Sequence, residues 1–277
     1  MNRFSHIHHV SKDCLLHFQS SYQPVFILNT GRSGSAFLNK ILEPCSNIVS
    51  YHEARPNLLM YPNFAYHNQK ENEILGEVFK AARVELILEA YVQNKVYVET
   101  NQCLVFFCRQ ILELFPNAKF IHLLRHPGDF VRSAILKGWH KNDSIWEEGR
   151  IKMKDEAEWN SLSQLQKLAW VWKSTHEFIE EFKSDNENNF MTFKLEEITQ
   201  KKRKFKDLLK YVGVTDFGSN LKKEMGIRTN KVLISENEPP NMFKRQDFPQ
   251  YTEWTAENKQ ELKKYTEQLA QQYGYKL

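Results

Sequence analysis

A chain of 277 residues with 41% apolar and 26% charged side chains has the makeup of a globular protein that buries a large core without staples. Its net charge of +4 is dispersed, which argues against a nucleic-acid surface and suits an anionic small ligand. No run reaches the ~18 to 20 apolar residues of a membrane helix. The segment from Met1 to Leu16 has no signal-like apolar core, and its His6, His8 and His9 read as a solvated terminus rather than a metal site. Cys14, Cys45, Cys103 and Cys108 form no metal-ligand pattern and read as reduced thiols of a cytoplasmic protein.

Taken in chain order, residues 24–29 are an apolar run of strand type, followed by a loop with two glycines and a helical pattern from Ala36 to Leu42. Residues 47–51 read as a second strand, 71–92 as a long amphipathic helix and 96–98 as a third strand. A helix over 104–115 stops at Pro116, and 119–124 is a strongly apolar fourth strand with a helix from Val131 to Trp139 behind it. The second half reads as a helix over 162–182, a strand over 190–193, a helix over 204–212 and a last helix over 255–273 capped by Thr255. Lys201 to Lys204 read as a solvated helix face, and the irregular stretch 226–250 as a functional loop. Strands alternating with helices predict an α/β fold, a mainly parallel sheet with helices on both faces. Residues 1–23 read as an N-terminal extension and 24–277 as a single domain.

The first chemistry-bearing segment is Thr30-Gly31-Arg32-Ser33-Gly34-Ser35-Ala36, between the first strand and its helix. Small residues there let backbone N–H groups converge on an anion, and the helix start adds a favourable dipole. Ser33 and Ser35 offer hydroxyls, and Arg32 a guanidinium fork. The spacing fits neither the Walker A pattern nor the dinucleotide fingerprint. The fourth strand then runs into Leu124-Arg125-His126-Pro127-Gly128-Asp129, with Ser133 eight residues beyond Arg125. Arg125 thus stands at the strand end where open α/β sheets bind ligands. A plain turn with Arg125 paired to Asp129 is the competing reading.

Together these two segments resemble the sulfotransferases that use 3′-phosphoadenosine-5′-phosphosulfate (PAPS). The resemblance implies a P-loop NTPase-like sulfotransferase fold, the glycine loop on the 5′-phosphosulfate, and Arg125 with Ser133 on the 3′-phosphate. Residues 115–127, the Phe193 to Ile198 segment and Tyr273-Gly274-Tyr275 resemble further family elements. Three departures stand out. Arg32 replaces a lysine, Ser35-Ala36 replace two threonines, and Glu99-Thr100-Asn101 replace Lys-Thr-Pro, which leaves the acceptor class open. The second strand ends in Tyr51-His52-Glu53-Ala54-Arg55, similar to the glutamate segment of tyrosylprotein and bacterial sulfotransferases. That likeness implies Glu53 as general base with Arg55 orienting it; His52 and Glu99 are rival bases, and Arg32 meets the leaving-group charge. Asn230 and Lys244 match PAPS-binding positions of the tyrosylprotein group.

The resemblance implies PAPS as cosubstrate, adenosine 3′,5′-bisphosphate as product, no metal, and a small-molecule, carbohydrate or peptide acceptor. A homodimer leaves no signature in the sequence. Two rivals stay open. A P-loop kinase or NTPase would need Mg²⁺ and a strand-terminal Asp, and a non-catalytic protein would bind the nucleotide without turnover.

Overall fold

The computed structural model describes residues 12–141, 145–215 and 247–277. Five parallel strands form one sheet: β1 (Val25–Leu28), β2 (Ile48–His52), β3 (Val96–Thr100), β4 (Lys119–Leu124) and β5 (Phe190–Lys194). Their order is β2-β3-β1-β4-β5, so β1 is central. Val25 is in register with Val98 of β3 on one side and with Lys119 of β4 on the other. Covered on both faces, β1 has no polar side and reads as a continuous apolar run.

Alternation along β1 sorts its side chains to the two faces. Phe26 and Leu28 enter the larger core cluster with Phe79 of α4 (Asn72–Val92), Ile111 of α5 (Cys108–Leu114), Trp172 of α9 (Gln164–Ser184) and Leu262 of α12 (Ala256–Gln272). Val25 and Ile27 face the smaller cluster, with Leu38 and Ile41 of α2 (Ser35–Leu42) and Phe205, Leu208 and Val212 of α11 (Lys202–Val212). On β4 and β5, Phe120 and Phe190 stack at 4.9 Å. The segment read as an N-terminal extension contributes α1 (Lys12–Ser21), whose Phe18 lies in the larger cluster.

Several element boundaries differ from the expected ones. The helix expected over 104–115 is a 3-10 turn from Gln102 to Phe107 followed by α5, because the Asn101 side chain caps the Cys103 amide and starts the winding early. Helix α6 (Pro127–Ile135) begins four residues before Val131, as proline tolerates the first helical turn, and Gly138 at φ 71° follows its end. The helix expected over 162–182 is α9, opened by a Ser163–Gln166 capping box, and the short α8 (Glu156–Ser161) precedes it. Short helices α3 (Pro62–His67), α7 (Ile145–Glu148) and α10 (Leu195–Gln200) carry too little periodicity to be read in advance. Lys201 to Lys204 are exposed as expected, and Thr255 caps α12 through the Asn258 amide.

Candidate active site

The glycine loop stands at the C-terminal end of the central strand. Gly31, Arg32 and Gly34 have φ of 74°, 50° and 86°. At Gly31 a Cβ would lie 2.0 Å from Gln102 Oε1 and 2.7 Å from the Trp139 ring; at Gly34 it would lie 2.4 Å from Leu195 Cδ1. Side chains press on the loop from two sides, so it needs glycine for space as well as for dihedral angle. Asn29 ties it to the strand: its side chain accepts from the Gly31 amide at 2.7 Å and donates to the Ile27 carbonyl at 2.9 Å. The Ser33 hydroxyl turns inward, 2.9 Å from the Gly31 carbonyl and 2.8 Å from Thr30 Oγ1. Ser33 can therefore offer an anion its amide rather than the expected hydroxyl. Ser35 and Ala36 open α2, where Gly34 caps no amide with a side chain, so the first N–H groups of the helix keep their binding capacity.

Arg125 and Ser133 converge on this loop. The Arg125 guanidinium donates from Nη1 to the Arg32 carbonyl, and Arg32 Nε donates to Ser133 Oγ at 3.1 Å. The competing plain-turn pairing of Arg125 is thus not its hydrogen bond. Burial lowers the Arg125 pKa, while the charges of Asp129 and Glu196 raise it. The loop behind Arg125 is pinned at successive residues: Trp172 Nε1 donates to its carbonyl at 3.1 Å, and the His126 amide donates to Glu196 Oε1 at 2.8 Å. Tyr275 donates to the other oxygen of Glu196 at 2.9 Å.

On the other side of β1 stands the end of β2. The Glu53 amide donates to the Thr100 carbonyl at 3.1 Å, and Glu53 takes a left-handed conformation, φ 52°. His52 is exposed, with Nδ1 2.9 Å from Thr100 Oγ1, and Arg55 is exposed two residues beyond Glu53. Glu53 and His52 therefore share the ligand-binding edge with the glycine loop. Glu99 does not remain a candidate base. It is fully buried, bound by Arg83 Nε and Nη2 at 2.7 and 2.9 Å, by the Tyr97 hydroxyl at 2.7 Å and by Asn101 Nδ2 at 3.0 Å. A carboxylate with four such donors has a structural task and no path to an acceptor. Its charge is neutralised in the core by Arg83.

A cavity of ≈ 40 Å³ adjoins the loop, lined by Thr30, Gln102, Cys103, Trp139, Arg150 and neighbours. Burial pushes the Cys103 thiol up to about 12; the Glu53 charge raises it further and the Arg150 charge lowers it. Sequence reading missed Gln102, Trp139, Arg150, Trp172 and Leu195, since their roles arise from contacts across the fold and no local pattern marks them. Asn230 and Lys244, the His6–His9 cluster and most of the 226–250 stretch lie outside the described residues. Among the described residues, no group of three or more His, Cys, Asp or Glu is placed to hold a metal ion, and no helix is long and apolar enough to cross a membrane.

Comparison with known proteins follows the same lines. No curated protein sequence matches the chain. Among solved structures, it resembles the sulfotransferase domain from the curacin biosynthetic pathway, with a TM-score of 0.55 at 16% identity over 93% of this chain and 99% of that one. It also resembles sulfotransferase STF9 from Mycobacterium avium, with a TM-score of 0.51 at 10% identity over 96% of this chain and 80% of that one. Mouse sulfotransferase SULT7A1, solved complexed with PAP, gives a TM-score of 0.50 at 14% identity over 94% of this chain and 89% of that one. At these identities the likeness is one of fold. A sequence model of the sulfotransferase family matches residues 24–216, well over half the length, and so the chain belongs to the sulfotransferase family.

Proposed function

We propose that this chain transfers a sulfuryl group from PAPS to a hydroxyl or amine acceptor, with residues 24–277 acting as one catalytic domain. The observation that carries the reading is the meeting of Arg32, Arg125 and Ser133 across the ends of β1 and β4. Two guanidinium groups and a hydroxyl, Arg32 before α2 and Arg125 and Ser133 at and within α6, suit a ligand with phosphate at both ends. The strand end that a P-loop kinase would give to a magnesium-binding Asp carries Arg125 instead.

In this reading the glycine-loop amides and Arg32 hold the phosphosulfate end, and Arg125 with Ser133 the 3′-phosphate. Glu53 takes the proton from the acceptor as its oxygen or nitrogen bonds to sulfur and the bond from sulfur to the 5′-phosphate oxygen breaks. That oxygen leaves with the electron pair, and Arg32 and the amides meet its charge without reorganising. His52 is the alternative base. The buried thiols of Cys103 and Cys108, joined in no disulfide, favour a cytoplasmic setting. Small-molecule, carbohydrate and peptide acceptors all suit the chemistry.

Calorimetric titration with adenosine 3′,5′-bisphosphate, 5′-AMP and ATP, with and without Mg²⁺, tests the reading. Micromolar, metal-independent binding that requires the 3′-phosphate is expected. Preference for ATP with Mg²⁺ would overturn it.

A further inference from the structure

Arg150 carries the strongest unassigned chemistry of the fold. Its guanidinium carbon lies 3.5 Å from the centroid of the Trp139 ring, and its Nε donates to Glu147 Oε1 at 2.9 Å. Glu147 is itself fixed by the His140 amide, 2.9 Å from Oε2. The backbone on either side is strapped to α3. The Asn63 amide donates to the Gly149 carbonyl and the Lys152 amide to Asn63 Oδ1, both at 2.9 Å. Gly149 runs so close to Leu59 that a Cβ would lie 1.6 Å from its carbonyl oxygen.

A side chain that ordinarily samples many rotamers is therefore held in one. Its Nη1 and Nη2 nevertheless have no hydrogen-bond partner among the described residues, so most of the donors of the fork are unused. Arg150 is also the one charged residue among the described residues lining the cavity beside the glycine loop. Cys103, in the same cavity lining, feels the charges of both Glu53 and Arg150. Stacking on one face and pairing through one edge leave a planar fork suited to an oxyanion with two accepting oxygens.

We propose that Arg150 is a specificity-determining residue that selects acceptors bearing a carboxylate, or a phosphate of the same geometry, beside the group to be sulfated. The proposal deepens the sulfotransferase reading and rests on it. The other source of such an oxyanion is the donor's own sulfuryl group, and the two are separable.

The experiment screens hydroxy acids, each paired with its methyl ester, as acceptors for the wild type, Arg150→Met and Arg150→Lys, together with titrations of adenosine 3′,5′-bisphosphate. The wild type should favour acid over ester by roughly 10- to 100-fold in kcat/KM, the range of a charged hydrogen bond. Arg150→Met should bring that ratio to about one, through KM, with wild-type nucleotide affinity, and Arg150→Lys should restore part of it. If Arg150→Met fails to fold, Arg150→Lys carries the comparison, with a ratio reduced by loss of the fork. A wild-type ratio near one across the panel would overturn the proposal while leaving the sulfotransferase reading intact. So would a variant that binds nucleotide or donor more weakly at an unchanged ratio, since Arg150 would then serve the donor. Absence of nucleotide binding by the wild type would instead remove the underlying reading and this one with it.

Discussion

Glu53 and Glu99 show how much a carboxylate's role depends on what the chain brings to it. Both stand at or near the C-terminal end of a strand, and the sequence offers Glu53 as the base with Glu99 as a rival. Arg83, sixteen residues before Glu99 on α4, separates them by closing a buried bidentate pair. No local pattern gives that contact, because it joins a helix face to a strand across the core. The two residues should respond oppositely to the same substitution. Glu53→Gln is expected to lower turnover by roughly two to four orders of magnitude with unchanged nucleotide affinity, as measured by steady-state rates beside calorimetry. Glu99→Gln leaves Arg83 charged and only partly compensated, and is expected to lower unfolding stability by about 3 to 5 kcal/mol in urea titrations. A stable Glu99→Gln protein with slow turnover would return Glu99 to the list of bases, and an active Glu53→Gln protein would pass the role to His52.

The turn from β1 into α2 was legible because its physics is local. An apolar strand, two glycines and a helical pattern follow one another, and the fold places them in that order. What was not legible is the packing that makes the glycines obligatory, since Leu195, Gln102 and Trp139 come from distant segments. The boundary differences have local causes that hydrophobic spacing passes over: α6 starts early on Pro127, and the Ser163 cap sets the start of α9. Gly34→Ala should combine both penalties, a left-handed alanine at roughly 1 to 2 kcal/mol and a collision with Leu195. Nucleotide binding should fall as the loop shifts. In the double variant Gly34→Ala/Leu195→Ala the collision is gone and the dihedral cost remains, so stability should recover only in part. Full recovery in thermal unfolding would mean that space, and not φ, demands the glycine.

Across the molecule, buried histidines make stability depend on acidity. His140 is lowered to about 3 by burial and then by the charges of Arg150, Lys152 and Lys167, while the Glu147 carboxylate stays 3.7 Å from its Nδ1. Burial likewise lowers His122 and His176, which face one another at 2.8 Å, with Glu180 3.2 Å from the other ring nitrogen of His122. Below the ordinary value of 6.5 the unfolded chain takes up a proton that folded His140 refuses until about pH 3. Stability is therefore complete above that ordinary value and declines as the pH falls through the interval, by up to about 1.4 kcal/mol per pH unit for one such group. His140→Asn, which tolerates the φ of 57° at this position, should show a smaller loss of urea midpoint between pH 7 and pH 5 than the wild type. Equal losses would mean that His140 titrates normally. The strand order β2-β3-β1-β4-β5 has a consequence of another kind. Arg125 and Ser133 follow β4 on one flank of the central strand, whereas Glu53 follows β2 and Gln102 and Cys103 follow β3 on the other. On the proposed reading the acceptor reaches sulfur from the flank opposite the one that holds the 3′-phosphate, so the direction of in-line attack is inherited from the topology. Such a partition lets mutation explore new acceptors along one edge while the other stays untouched, and lineages built on it should diversify by changing half a sheet.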